Sequence, residues 1–359
     1  YPRPSGEIGQ ENSLESGNSG GTQKKRKPNY ASKCQRANRE INHKNMRPKI
    51  GLALSGGSGR AIAHIGVLEV LREYNIPIDV ITACSSGTMV AGSFACGTLE
   101  ELKQDWLKWN KGFILNFLEI AESDTGLFSV EKITEWFRKY LKGRRLFEEV
   151  RPRLGFVCVD INTGEPLTIC LGDMLRAGHA SCAVPGLFEP VEWGNKLLVD
   201  GGLVSLVPVV QARELGSDVV IGVDIAATRH MYKKRYINAW RSYNFIRKTP
   251  LISFLNSVFS VMNKAYENSI KMIFYNQSDF LEEQLTRANP DLFSILGKAL
   301  ELASLQHRLN ASPRCDILLS PNVKQLGKMD FDSAKTIYLE GRRAALEAVP
   351  DIEKVIKQY

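Results

Sequence analysis

The 359-residue chain is short of several things, and each shortage excludes a class. No uncharged run approaches the ~20 apolar residues of a membrane-crossing helix. The most suggestive stretch, Pro250 to Asn263, is shorter and is interrupted by Ser and Asn. The first 23 residues contain no apolar segment of the kind a secretory signal needs. The expectation is therefore a cytoplasmic protein with no signal peptide or transmembrane segment, able to touch a membrane peripherally. The seven cysteines (Cys34, Cys84, Cys96, Cys158, Cys170, Cys182 and Cys315) include no closely spaced pair, which predicts neither a zinc site nor a disulfide framework. No metal or other cofactor is expected. Acidic residues are missing from Arg229 to Lys248, which carries seven Lys/Arg, and residues 1–48 hold ten Lys/Arg against four Glu. The remainder is mildly acidic, so a uniformly basic nucleic-acid binder is not indicated. With 43% hydrophobic and 24% charged residues the chain has a globular composition, which excludes collagen-like, coiled-coil and wholly disordered classes.

Residues 1–48 read as a disordered basic leader, because Gly, Ser, Asn, Gln and charge leave little to bury. The run Lys24-Lys25-Arg26-Lys27 fits a solvated tail, with an anionic-surface tether or a nuclear address as alternatives. From Lys49 to the end the texture is that of a single domain. Strands are predicted at Lys49–Leu54, Ile78–Ala83, Leu154–Asp160, Pro166–Leu171, Lys196–Val199, Val219–Asp224 and Asp316–Ser320. Helices are predicted at Arg60–Tyr74, Gly87–Cys96 with Gly97 as the stop, Glu100–Asn110, Val130–Leu141, Pro208–Leu215 and Asp332–Ala348. Strands alternating with helices predict an α/β layer fold with a largely parallel sheet. Residues 226–310 read as a basic, aromatic and helical insert.

Three motifs carry chemistry. Ala83-Cys84-Ser85-Ser86-Gly87 joins a hydrophobic strand to a helix of small residues, the context in which a sharp turn exposes a nucleophilic serine. Ser85 has small residues on both flanks, whereas Ser86 would have Thr88 at the later position. Ser55-Gly56-Gly57-Ser58-Gly59-Arg60 follows a strand and opens a helix, so its N–H groups suit a phosphate or a tetrahedral oxyanion. It lacks the Lys-Ser/Thr of a P-loop and a clean G-x-G-x-x-G, which disfavours nucleotide. Arg60 has two readings, as a holder of an anionic substrate group or as a brace on backbone carbonyls. Leu197-Leu198-Val199-Asp200-Gly201-Gly202 is an apolar strand ending in a carboxylate on a glycine turn, either a catalytic base or a plain Asp-Gly turn.

A Ser-His-Asp triad needs an imidazole, and only His43, His64, His179, His230 and His307 are present. His43 lies in the leader and His64 on an apolar helix, where packing is the simpler role. None of the others sits in a glycine turn. A Ser85/Asp200 dyad, with the carboxylate taking the serine proton directly, is the economical reading.

In this order the three motifs resemble those of the patatin-like phospholipases. Gly56-Gly57-Ser58-Gly59-Arg60 is similar to that family's oxyanion loop, Ala83 to Gly87 to its nucleophile elbow, and Asp200-Gly201-Gly202 to its catalytic Asp-Gly-Gly/Ala. Ala63 to Leu68, Ala180 to Gly186 and Val219 to Asp224 resemble bacterial members, including the branch similar to neuropathy target esterase. The resemblance runs from about Lys49 to Asp224 and resumes near Asp316 to Ala345. It implies a three-layer α/β/α core and acyl-ester hydrolysis of phospholipids or lysophospholipids. Ser85 would be the nucleophile and Asp200 the base. The oxyanion site would lie at Gly56, Gly57, Ser58, Gly59 and Ser86, with no metal required. Ser58, Ala61, Ala83 and Ser205-Leu206 depart from the family pattern, and they motivate the alternative of a non-catalytic lipid-binding or regulatory module on the same fold.

The segment from Arg229 to Met262 interleaves Lys and Arg with Tyr232, Tyr236, Trp240, Tyr243 and Phe245, then continues into an apolar helical stripe. It reads either as an anchor on an anionic membrane surface or as a core helix beside a solvated basic loop. Binding to single-stranded nucleic acid also fits the pattern, but it is the weaker match for an acyl hydrolase, and no nucleic acid is expected.

Overall fold

The computed structural model describes residues 47–109, 119–120, 126–129, 131–226, 315–323, 326 and 332–359. Nearly all of the leader, and the insert from residue 227 to 310, lie outside the described residues.

The predicted alternation appears as β1 Ile50–Leu54, α1 Ile62–Glu73, β2 Val80–Cys84, α2 Gly87–Cys96 and α3 Leu99–Leu107. A short 3-10 turn, Ser58–Ala61, precedes α1, and Gly97 ends α2 in the left-handed conformation, as its position predicted. After β3 Glu119–Ile120 and β4 Gly126–Ser129 come α4 Glu131–Arg138, β5 Arg153–Asp160, β6 Pro166–Ile169 and α5 Met174–Cys182. The chain continues through β7 Gly186–Phe188, β8 Val191–Trp193, β9 Lys196–Asp200, α6 Val209–Glu214, β10 Val219–Val223, β11 Ile317–Leu319 and α7 Ala334–Lys357.

The main sheet has β11, β10, β1, β2 and β5 side by side and parallel. Side-chain alternation reveals the layers on its two faces. Ile50, Leu52 and Leu54 of β1 join Ile81, Ala83, Val219, Ile221 and Val223 in the main core beneath α1, α2, α5 and α7. Ala53 and Val220 point the other way, onto Val207, Val209 and Ala212 at α6. The result is the expected three-layer α/β/α core with a mostly parallel sheet. A smaller sheet, β3-β4-β7, was not anticipated, because its strands are too short for a periodic signal.

Two edges of β5 are used differently, and this positions the site. One carries β6, antiparallel. The other pairs with β2 over Arg153 to Val157 and then, from Cys158 to Asp160, with β9. The end of β9 is thereby laid against the end of β2.

The predicted final helix stops at Ala348, yet α7 runs on through Pro350 to Lys357. Continuing buries Val349 and Ile352 and packs Val355 and Ile356 on the core. At ~1.5–3 kcal/mol per buried apolar side chain, this offsets the ~3 kcal/mol cost of an interior proline. Helix α7 lies on α1, where buried Glu69 accepts hydrogen bonds from Lys103 of α3 and from Tyr338 and Arg342 of α7. No described helix is long and apolar enough to cross a membrane. Cys170 is disulfide-bonded, although the cysteine spacing predicts no disulfide framework, while Cys84, Cys96, Cys158 and Cys182 are free thiols. A single bridge leaves no spacing pattern to read.

Helix α5 escaped the periodicity reading, but it has a strong start signal. The Asp173 carboxylate accepts hydrogen bonds from the backbone N–H groups of Leu175 and Arg176, at 2.9 and 3.0 Å. Burial pushes this carboxyl upward, but the Arg176 N–H and the Arg145 guanidinium outweigh burial and hold it below its usual range. A depressed carboxyl pKa means that the cap stabilises fully above the ordinary Asp value and fades as pH falls through the lowered one. Asp173→Ala is expected to cost about 1 kcal/mol at neutral pH, read as a lower denaturant midpoint at unchanged slope. The difference from the parent should shrink in acid.

Candidate active site

Ser85 sits where β2 turns into α2, with φ at +51°, in the left-handed region that a non-glycine residue occupies only at a cost of ~1–3 kcal/mol. Local bonds hold it there. The Thr88 N–H and hydroxyl both donate to the Ser85 carbonyl, at 2.9 and 2.7 Å. The Ser85 N–H donates to Ser181 Oγ at 2.9 Å, and the Ser181 hydroxyl donates to the Val157 carbonyl at 2.7 Å. Ser181 thus ties the elbow to β5. Ser181 falls within the family-like stretch Ala180 to Gly186 but carries no sequence signal of its own, since a buried serine among small residues has no distinctive pattern. Gly56 leaves room for the elbow, because a Cβ there would lie 2.8 Å from that of Ser85.

Asp200 reaches the same place by strand register. Cys84 is opposite Val157, and the next residue of β5, Cys158, is opposite Asp200. The Asp200 carboxylate is 6% exposed, accepts the Gly202 N–H at 2.7 Å and receives the Cys84 thiol at 3.6 Å. Cys182, at the end of α5, joins the group through a hydrogen bond between its thiol and the Thr88 hydroxyl, at 3.9 Å. Burial pushes its thiol up to about 12, with the Asp200 charge adding to the rise. Burial and the Asp200 charge likewise raise the Cys84 and Cys158 thiols. The carboxylate therefore sits among neutral thiols at neutral pH, a water-poor setting that strengthens its interactions with nearby protons.

The glycine loop lies between these elements. The Gly57 N–H donates to Ser86 Oγ at 3.2 Å, which places the loop over the start of α2. The Gly56 N–H is taken by the Leu206 carbonyl, so the contribution seen for Gly56 is clearance. Ser58 adopts φ +54°, so the departure from glycine at this position places a side chain on a left-handed residue. Gly59 is buried at the opening of the 3-10 turn. His64 is fully buried and its Nε2 lies 2.8 Å from the Ser55 carbonyl. Burial lowers its pKa to about 4, so the neutral ring braces the strand end from which the loop departs. This is the packing role expected of it. Arg60 is buried too, and its Nε and Nη2 donate to the Leu326 carbonyl. A backbone carbonyl is a partner of the bracing kind.

Residues 52–213 match the family model described as patatin-like phospholipase. The chain carries a patatin-like phospholipase domain. An uncharacterized NTE family protein of Mycobacterium tuberculosis is 32% identical over 179 residues, 50% of this chain and 49% of the relative. A second uncharacterized NTE family protein of that bacterium is 26% identical over 316 residues, 84% of this chain and 47% of the relative. Lysophospholipase NTE1 of Debaryomyces hansenii is 24% identical over 196 residues, 50% of this chain and 12% of that protein. The chain thus spans about half the length, or less, of these relatives. Among solved structures, VipD from Legionella pneumophila matches at 14% identity and a TM-score of 0.39, covering 84% of this chain and 67% of that one.

Proposed function

We propose that the chain is a serine lipid acyl hydrolase, acting on phospholipids or lysophospholipids through a Ser85/Asp200 dyad. The observation that carries this reading is the strand register that sets Asp200 one step along β5 from the strand end bearing Ser85. Ser85 Oγ would bond to the ester carbonyl carbon while its proton passes to the Asp200 carboxylate. The carbonyl oxygen, now negative, would accept N–H groups of Gly57, Ser58 and Ser86, displacing the Gly57 contact with Ser86 Oγ. Collapse would break the bond to the alcohol, which leaves with the proton from Asp200. Water would then attack the acyl-enzyme, return a proton through Asp200 and release the fatty acid. The name lysophospholipase on one relative supports a lysophospholipid among the substrates. Free fatty acid release from a panel of phospholipids and lysophospholipids tests the proposal, and no release from any of them would defeat it.

A lipid substrate lies in or on a membrane, and the basic-aromatic segment from Arg229 onward supports peripheral contact with an anionic surface. Flotation with vesicles should show binding to anionic lipid that falls as salt rises. Charge reversal at Lys233, Lys234 and Arg235 together should weaken it while sparing turnover of a soluble ester. Equal binding to neutral and anionic vesicles, or no effect of the reversal, would contradict the idea.

A further inference from the structure

Helix α1 buries His64 completely, in the same apolar stretch as Ile62, Ile65 and Leu68. Packing alone would be served by leucine or methionine here, which bring no polar atom into the core. The imidazole brings two nitrogens. Its Nδ1 is buried with no hydrogen-bond partner among the described residues, and its Nε2 lies 2.8 Å from the Ser55 carbonyl oxygen. A carbonyl only accepts, so the ring carries its proton on Nε2 and leaves Nδ1 bare. Burial lowers the pKa to about 4, which keeps the ring neutral at neutral pH. The polar role of His64 therefore rests on one atom, Nε2, and one bond, to the Ser55 carbonyl.

That carbonyl opens the glycine loop. The Ser55 carbonyl and the Gly56 N–H are the two polar edges of one planar peptide unit. His64 holds the first edge, and the Leu206 carbonyl takes the second at 3.3 Å. Ser55 is itself fixed to the end of β10, its N–H donating to the Val223 carbonyl at 3.1 Å and its Oγ accepting the Ile225 N–H at 3.0 Å. From Gly56 onward two glycines leave the backbone rotations unrestrained by any Cβ, so the peptide plane that enters them has to be set from outside. The same oxygen also meets the nucleophile's helix, since a Cβ at Gly87 would lie 2.8 Å from it. One atom thus joins α1, the glycine loop and the start of α2.

We propose that His64 is a positioning residue for ester hydrolysis, whose Nε2–H fixes the Ser55–Gly56 peptide plane and thereby aims the Gly57 and Ser58 N–H groups at the oxyanion. This rests on the reading of Ser85 as an acyl hydrolase nucleophile and of the glycine loop as its oxyanion site. His64 touches neither the substrate nor the reacting atoms. Its effect appears where negative charge develops on the carbonyl oxygen, in the transition state rather than in the bound substrate. Removing one oxyanion donor outright lowers kcat by ~10²–10³-fold, and a donor that is displaced keeps part of its contribution. Loss of the Nε2–H is accordingly expected to lower kcat by roughly 10–100-fold.

The test compares the full chain with its His64→Leu, His64→Met and His64→Gln variants on a soluble short-chain ester, at a temperature where circular dichroism shows each of them folded. Leucine and methionine fill the space of the ring without a donor, and either suffices if the other fails to fold. Glutamine places an amide N–H near the position of Nε2. The two apolar variants should lose roughly 10–100-fold in kcat with KM within about twofold of the parent, and His64→Gln should recover most of the loss. A trifluoromethyl ketone adds to an active serine as a tetrahedral oxyanion, so its affinity for the apolar variants should fall by about the same factor as kcat. Parental kcat in the apolar variants, an equal loss in all three, or lost kcat with parental ketone affinity would overturn the proposal. A folded parent that neither turns over the ester nor binds the ketone counts against the hydrolase reading, and this role falls with it. A parent that does both, matched by its apolar variants, counts against the role of His64 alone.

Discussion

Ser85→Ala is expected to nearly abolish ester hydrolysis while leaving the thermal midpoint close to that of the parent. The substitution removes the attacking oxygen but none of the bonds that hold the elbow, which run through the Ser85 backbone to Ser181 and Thr88. Asp200→Asn should lower turnover by roughly 10²–10⁴-fold, the usual contribution of a positioned general base. Asn is the better probe than Ala here, because its amide oxygen can still accept the Gly202 N–H that Asp200 holds at 2.7 Å. The two groups act as a unit, so the double variant should be about as inactive as Ser85→Ala alone. Steady-state kinetics on a soluble short-chain ester reads all three. Near-normal turnover of Asp200→Asn would remove Asp200 as the base.

The second large effect concerns stability. Helices α1 and α7 cross through a pair of glycines. A Cβ at Gly341 would sit 2.0 Å from the Ala63 carbonyl oxygen, and one at Gly66 would sit 2.4 Å from that of Tyr338. Both obstacles are backbone, which cannot turn aside as a side-chain tip can. Alanine gains ~1 kcal/mol over glycine in helix propensity. Forcing the two helices apart costs ~1–3 kcal/mol or more, and strain against backbone puts this case at the upper end. Gly341→Ala should therefore be destabilising by a net ~2 kcal/mol, a fall of roughly 4–8 °C in melting temperature for a domain of this size. Gly178→Ala in α5 is the contrast, since its new Cβ meets nothing closer than 3.7 Å and should be neutral or slightly stabilising. Equal effects of the two substitutions would show that the glycine crossing is not tight.

What could be read from the sequence was local. The strand and glycine loop from Lys49 to Arg60 and the strand-to-helix turn at Ser85 depend on neighbours in the chain, and their residue types declare them. The placement of Asp200 beside Cys84 does not, because it depends on two strands far apart in sequence sharing one edge of β5. Strand order of that kind is tertiary information that no window of residues contains. The same reason hides Ser181, whose role exists only once α5 is laid against β2 and β5. Arg60 illustrates a different limit. Guanidinium binds carbonyls and anions alike, and its partner, the Leu326 carbonyl, comes from the far end of the chain.

The central claim is that Ser85 is an activated nucleophile served by Asp200. Its most direct test is reaction with a fluorophosphonate followed by peptide mass spectrometry, because the reagent modifies serines whose hydroxyl is activated. The account predicts one adduct, on Ser85, formed quickly by the parent, much more slowly by Asp200→Asn and not at all by Ser85→Ala. No adduct on the folded parent, or an adduct on another serine that persists in Ser85→Ala, would contradict it.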